Sequence, residues 1–506
     1  MLGRLKYTLK STIIYSIGNI SLKLVGLILL PIYTEHLVVE DYGRWALLEI
    51  TSQIFVIIIG FRLSIAMIRF FSAEKEDKKK KTIVFTSVFL TFISLIIFNA
   101  FLHPIAGSIS NLYFGEAGMD RYFHLLFIWS SVEVLNRLTL DFIRVLQKPV
   151  LYVIAVTVRF TLVLGLNIYF VAVRDMGIEG ILLGQLIGSI FLFVLTMPYL
   201  LLRMNLAIDF QMMKTLIRYG FPLIFSSISI FLLTMGDRYL IKILMEYERV
   251  GIYSLSYKVA SVVKLILIQA FQLGFIPIVF NMFDKVDFRR FVSKVFTYYS
   301  LILVFSSLVL SIFAKDIIYT FAKDPSYYES YRYIPLMLLA FCFQGQQYVF
   351  TISLHYTKTV SYLVWITLSA AILNLAFNWF LIPKYGLYGS AVAVNLSSLF
   401  MTYLTYIISQ RKYHIPYELN KVIMILIVAI VIYLATTFIP VDNASLSIIL
   451  KSIVVLLFPV LLYPLGFYDA IELSTIAGIW KTWRNPAKWK KNIKRLNNEN
   501  FDEDTI

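Results

Sequence analysis

The chain has 506 residues, 59% of them hydrophobic and 15% charged, a mean hydropathy of +0.77 and a formal charge of +16. A soluble domain is about 45–50% apolar, so the composition excludes an ordinary soluble enzyme and makes the bilayer the solvent. Five histidines and one cysteine, Cys342, exclude an intramolecular disulfide and speak against a zinc site.

Continuous apolar runs, rather than alternating ten-residue segments, select helices over a barrel. A run of about 20 residues crosses roughly 30 Å of hydrocarbon. Fourteen spans are expected, at 11–33, 44–66, 82–103, 122–145, 149–172, 178–202, 217–243, 251–280, 293–314, 331–354, 360–382, 386–409, 421–440 and 446–467. The first follows a basic start and precedes no small-residue cleavage site, so it reads as a retained span. With the N-terminus inside, cytoplasmic segments and helix ends carry about 27 basic residues against about 9 outside. Both termini are therefore expected in the cytoplasm. Loops such as EKEDKKKK (74–81) then sit beside anionic lipid, which accounts for the charge without nucleic acid. The basic tail, 468–506, with Trp480, Trp483 and Trp489, reads as an amphipathic interfacial helix.

The chain repeats itself. GIEGILLGQLIGSIFLFVL (177–195) echoes GLYGSAVAVNLSSLFMTYL (386–404), 209 residues on. VEDYGRWALLE (39–49) echoes YERVGIYSLSY (247–257), aligning Gly43 with Gly251, and QKPVLYV (147–153) echoes YTKTVSYLV (356–363). Such duplication points to a transporter whose halves rock against each other. The division is an N-lobe at 1–202, a cytoplasmic linker at 203–216, a C-lobe at 217–410, an appended helix pair at 411–467 and the tail. Each lobe holds an even number of spans, so the repeats are parallel. No outer segment is long enough for a folded domain. Walker, G-x-S-x-G and H-E-x-x-H motifs are missing. The chain is therefore expected to be no enzyme, without cofactor or metal.

LPIYTEHLVVEDYGRWALLE (30–49), YGFPLIFSSISIFLLTMGDRYLI (219–241) and GIYSLSYKVASVVKLILIQAFQLGFIPIVF (251–280) resemble, in order and spacing, motifs of bacterial polysaccharide (O-antigen, Wzx-type) flippases. Gly220, Pro222, Asp237 and Arg238 stand at the family's G-x-P and Asp-Arg positions. The resemblance implies the fold of the multidrug/oligosaccharidyl-lipid/polysaccharide exporter superfamily. That fold is all-α and polytopic, with about 14 transmembrane helices: two six-helix lobes in a V around a central cavity, plus two C-terminal helices. It also implies a substrate, an undecaprenyl-pyrophosphate-linked oligosaccharide moved from the inner to the outer leaflet for O-antigen, capsule or exopolysaccharide synthesis. The lipid II flippases are a related branch and the nearest alternative. Lys23 and Asp41 match basic and acidic positions of that branch, whereas Leu29 stands where it has a second arginine. A cation-coupled multidrug exporter is the more distant alternative. Expected partners are the lipid-linked glycan, membrane lipids and polysaccharide polymerase and chain-length machinery, with a monomer as the functional unit.

Carrying a sugar pyrophosphate requires a wet, cationic cavity. Charges within spans are costly and face an interior by default. Lys23, Arg62, Arg69, Arg159, Lys258 and Lys264 are the cationic candidates. Glu133, Arg137 and Asp141 follow at four-residue spacing, then Arg144, and can pair in series along one helix face. Glu133, Asp141 and Asp237 are the candidates for ion coupling. Gln344, Gln347, Asn374 and Asn378 are candidate sugar contacts, or glue between helices.

Overall fold

The computed structural model describes residues 28–115, 119–280, 282–283, 285–437 and 444–469. Most of the first expected span, Lys23 within it, and the basic tail lie outside the described residues. The described elements are helical throughout, because a chain without water around it must satisfy its N–H and C=O groups within each segment. Nine described helices are long and apolar enough to cross a bilayer, which makes this a multi-pass membrane protein.

The chain forms two compact units, Met1–Tyr417 and Glu418–Ile506. In the smaller unit, α16 (Leu419–Thr437) packs on α17 (Ala444–Leu461), and Lys421 Nζ lies 2.8 Å from Asp469 Oδ1. The larger unit opens with a short α1 (Leu30–His36), then α2 (Val39–Ile59), α3 (Leu63–Ala73), α4 (Asp77–Leu102), α5 (Ala106–Phe114) and α6 (Asp120–Val145). Next come α7 (Pro149–Asn167), continued by a π-helical turn Ile168–Val173, and α8 (Gly177–Leu201). The second half comprises α9 (Phe210–Leu244), α10 (Tyr247–Val263), a π-helical turn Lys264–Gln269 and α11 (Ala270–Phe280). It continues with α12 (Phe288–Ile312), α13 (Ala314–Phe321), a 3₁₀ turn Pro325–Arg332, α14 (Ile334–Tyr356) and α15 (Ser361–Lys412). In the first half α6 packs against α2, α3 and α8; in the second α15 packs against α9 and α14. The halves meet where α10 lies along α2, and where α9 crosses α2, α3 and α4.

The sequence repeat has a backbone counterpart at each echo. Gly177 and Gly386 both adopt left-handed conformations, at φ +55° and +57°, which glycine takes without steric cost. Gln147 and Lys358 are left-handed too, at φ +54° and +56°. The residue after each donates its N–H five positions back, Lys148 to Ile143 O at 3.2 Å and Thr359 to Leu354 O at 2.9 Å. The third echo joins the halves. A Cβ on Gly43 would stand 2.0 Å from Tyr247 O, and one on Gly251 would stand 2.3 Å from Val39 O. Val39 and Tyr247 are repeat partners, as are Gly43 and Gly251. The contact is thus reciprocal, as between copies related by a two-fold axis.

One boundary departs from the sequence expectation. The span expected at 44–66 breaks after Ile59, with Phe61 and Arg62 at φ +44° and +52°. Left-handed non-glycine residues cost roughly 1–2 kcal/mol each, so their surroundings must hold them. A Cβ on Gly220 of α9 would lie 2.3 Å from Phe61 O, so the break packs flush on that helix, and Arg62 Nε donates to Ser227 Oγ at 2.6 Å. The spans expected at 360–382 and 386–409 are the two arms of α15, which part at Gly386, where the backbone leaves the helical conformation, and fold back so that Asn374 donates to Ser397 Oγ at 3.0 Å.

Gly43→Ala is expected to destabilise the protein by about 1–3 kcal/mol, because the methyl meets a carbonyl that cannot retreat without parting the halves. Gly107→Ala, where nothing stands within 4 Å, serves as the control and leaves thermal unfolding in detergent unchanged or slightly raised.

Candidate functional site

The larger unit encloses a cavity of 820 Å³ between its halves. That lies within the range of a small-molecule pocket, roughly 300–1,000 Å³, and far exceeds an ion site. One wall comes from α2, α6, α7 and α8, the other from α9, α10, the π-helical turn and α11.

The second wall presents Lys258 and Lys264. Lys258 Nζ lies 5.9 Å from the ring centroids of both Tyr33 and Tyr42, and Lys264 Nζ lies 5.3 Å from that of Phe341. Neither ammonium forms an ion pair among the described residues. Arg238 also reaches this wall, but its charge is already engaged. Its Nη1 lies 2.6 Å from Asp237 Oδ1 and donates to Thr234 O at 3.0 Å, its guanidinium sits over Tyr257, and Tyr253 Oη donates to Asp237 Oδ2 at 2.7 Å. Asp237 is thus bound into a buried cluster and is not among the residues lining the cavity.

The first wall holds Arg159, Arg137, Glu133 and Glu49. Arg159 clamps Glu133 with both nitrogens, at 3.2 and 2.8 Å, and donates to Ser189 Oγ at 3.0 Å. Of the series pairing expected along α6 only the last link, Asp141 with Arg144, forms. A planar guanidinium from α7 matches the carboxylate fork better than Arg137 can from the same helix, and Asp141 pairs with Arg144 at 3.0 Å. Arg137 is thereby released: it is exposed on the cavity and forms no salt bridge among the described residues. Trp45 and Trp129 stack with centroids 6.1 Å apart, and neither buried indole N–H meets an acceptor. A buried donor left unpaired costs about 1–3 kcal/mol.

The remaining candidates lie elsewhere. Arg62 lines a small separate cleft beside Arg137, and Arg69 is exposed with its guanidinium 4.5 Å from the centroid of Tyr219. Gln344 donates to Ser398 at 3.0 Å, Gln347 to Thr405 at 3.3 Å and Asn374 to Ser397 at 3.0 Å; Asn378 donates to Asn374 O at 2.8 Å. All four are buried within the second half, binding α14 and α15, and none lines the cavity. Sequence reasoning missed Glu49 and the pairing of Trp45 with Trp129. A mid-span carboxylate was there to be found by the rule that singled out the lysines. The indole pair brings together helices 84 positions apart and left no such signal.

Comparison with known proteins places this geometry in context. Residues 8–283 match the family described as polysaccharide biosynthesis protein. No curated protein matches the chain. Among solved structures, a lipid II flippase MurJ in an inward closed conformation superposes with a TM-score of 0.70 at 14% identity, covering 89% of this chain and 99% of its own. An inward-facing multidrug resistance MATE family transporter of the MOP superfamily gives 0.60 at 12%, covering 77% and 94%. A MATE transporter of Vibrio cholerae gives 0.59 at 14%, covering 80% and 96%. The chain therefore has the fold of this transporter superfamily.

Removing one partner of the Arg159–Glu133 clamp strands a charge in a poorly solvated site. Arg159→Ala is expected to cost about 3 kcal/mol, and the double variant Arg159→Leu/Glu133→Leu to recover most of it. A double-mutant cycle on thermal unfolding measures the coupling.

Proposed function

The chain belongs to the polysaccharide biosynthesis protein family, and from that premise we propose that it is a flippase for undecaprenyl-pyrophosphate-linked oligosaccharides. It would carry repeat units from the inner to the outer leaflet of a bacterial plasma membrane by alternating access. The observation that carries the reading is the cavity between two repeat-related halves, with Lys258, Lys264 and Arg137 on its surface and unpaired by carboxylates among the described residues. Cations left unneutralised in a membrane interior are costly, and an anionic ligand is the compensation that suits them. A pyrophosphate fits that demand: arginine offers it a bidentate grip and lysine a point charge. A cavity for cationic drugs calls for the opposite sign.

The halves touch on both sides of the cavity, on the expected inner side where Gly220 packs on Phe61 O and Arg62 donates to Ser227. On the expected outer side the halves are joined at Gly43 and Gly251, by Tyr327 Oη donating to Leu37 O at 2.9 Å, and by Thr34 Oγ1 donating to Phe321 O at 3.1 Å. Opening outward would break these contacts together. The three carboxylates considered for ion coupling, Glu133, Asp141 and Asp237, each hold a basic partner here. Coupling through any of them would proceed by exchanging that partner for a proton or metal ion. The cavity is complete within one chain, consistent with a working monomer that hands its product to polymerase and chain-length machinery.

Complementation of a strain lacking its own polysaccharide flippase tests the reading at matched membrane levels. Wild type restores surface glycan. Lys258→Ala, Lys264→Ala and Arg137→Ala each lower it about tenfold or more, the loss of one charged hydrogen bond, while Lys78→Ala at the exposed start of α4 does not. Failure there with rescue of lipid II flipping would move the assignment to the related branch.

A further inference from the structure

The two walls of the cavity differ in chemistry. Lys258 and Lys264 stand on one. The other carries Glu49 and Gln53, one turn apart on α2 and hence on one face, with Gln185 from α8. All three are half-buried, line the cavity, and make no side-chain hydrogen bond or ion pair among the described residues. The stacked Trp45 and Trp129 lie behind the same wall, 2% and 7% exposed. Glu49 and Lys258 line the same cavity and form no salt bridge with each other among the described residues.

Phosphate needs cations, which Lys258 and Lys264 on one wall and Arg137 on the other supply. Sugar hydroxyls need groups that accept and donate at adjacent positions, and a carboxylate with two primary amides supplies both. The buried, stacked Trp45 and Trp129 back this wall with apolar surface. A carboxylate among these groups also repels a second carboxylate, which is a means of rejecting the wrong ligand. We infer that Glu49, Gln53 and Gln185 form the subsite for the sugars adjoining the pyrophosphate, and that Glu49 restricts it to uncharged, hydroxyl-rich sugars, hexoses and N-acetylhexosamines, against uronic acids. The inference rests on the flippase reading and adds to it an orientation of the substrate and a class of glycan.

The test measures binding to purified protein in nanodiscs of three probes: undecaprenyl pyrophosphate alone, the same lipid bearing N-acetylglucosamine, and the same lipid bearing glucuronic acid. Wild type is expected to bind the N-acetylglucosamine lipid about tenfold more tightly than the bare lipid, and the glucuronic acid lipid about tenfold more weakly than the neutral one. Gln185→Ala removes the gain from the neutral sugar and leaves the bare lipid unaffected. Glu49→Gln, nearly isosteric, keeps the neutral sugar within about threefold and admits the acidic one. A structural role for these residues would weaken all three probes alike and would overturn the inference. Equal binding of all three by wild type would overturn it while leaving the flippase reading in place. Binding of none of them would remove that reading, and the inference with it.

Discussion

The closest approach between the two halves is made by backbone, not by side chains. At Gly43 and Gly251 the helices α2 and α10 touch so closely that neither has room for a methyl group. In a bilayer, where lipid tails are as apolar as leucine, helices associate through such small-residue contacts rather than through hydrophobic burial. The contact fixes where α2 and α10 diverge. Below it, Glu49 and Gln53 on one helix and Lys258 and Lys264 on the other come to face a shared space. Because the contact is reciprocal between repeat partners, it lies where a two-fold axis would run, which is the line about which halves of such a transporter can rock with least disturbance.

The second governing constraint is the cost of charge in a membrane. The structure meets it in two ways. Arg159 with Glu133, and Arg238 with Asp237, are neutralised in place by short contacts and aromatic neighbours. Lys258, Lys264 and Arg137 are left without carboxylate partners and placed on a cavity instead. The first group gives the walls their rigidity, and the second gives them a sign. Which residue falls in which group depends on the neighbouring helix, and one guanidinium reaching from α7 to α6 decides it for three side chains at once.

Much of the architecture was legible in the sequence. Apolar runs located the helices, and the echo at 39–49 and 247–257 aligned the two glycines that meet in the structure. What the sequence hid was lateral. The break at Phe61 and Arg62 is held by Gly220, far along the chain, and no local signal marks it. Four-residue spacing made a ladder of Glu133, Arg137 and Asp141 reasonable, but helical periodicity says nothing of what the next helix brings. Gln344, Gln347, Asn374 and Asn378 were equally good as sugar ligands or as glue on sequence alone, and their serine, threonine and asparagine partners are tertiary facts.

Transport by the isolated protein is the most direct test. The purified chain is reconstituted in liposomes containing an undecaprenyl-pyrophosphate-linked oligosaccharide, and the appearance of glycan on the far leaflet is followed with an impermeant lectin. The account predicts that wild type speeds the crossing well above protein-free liposomes and that the double variant Lys258→Ala/Lys264→Ala, folded to the same melting temperature, returns it to that background. Crossing no faster with wild type than without protein, or equally fast with the double variant, would contradict it.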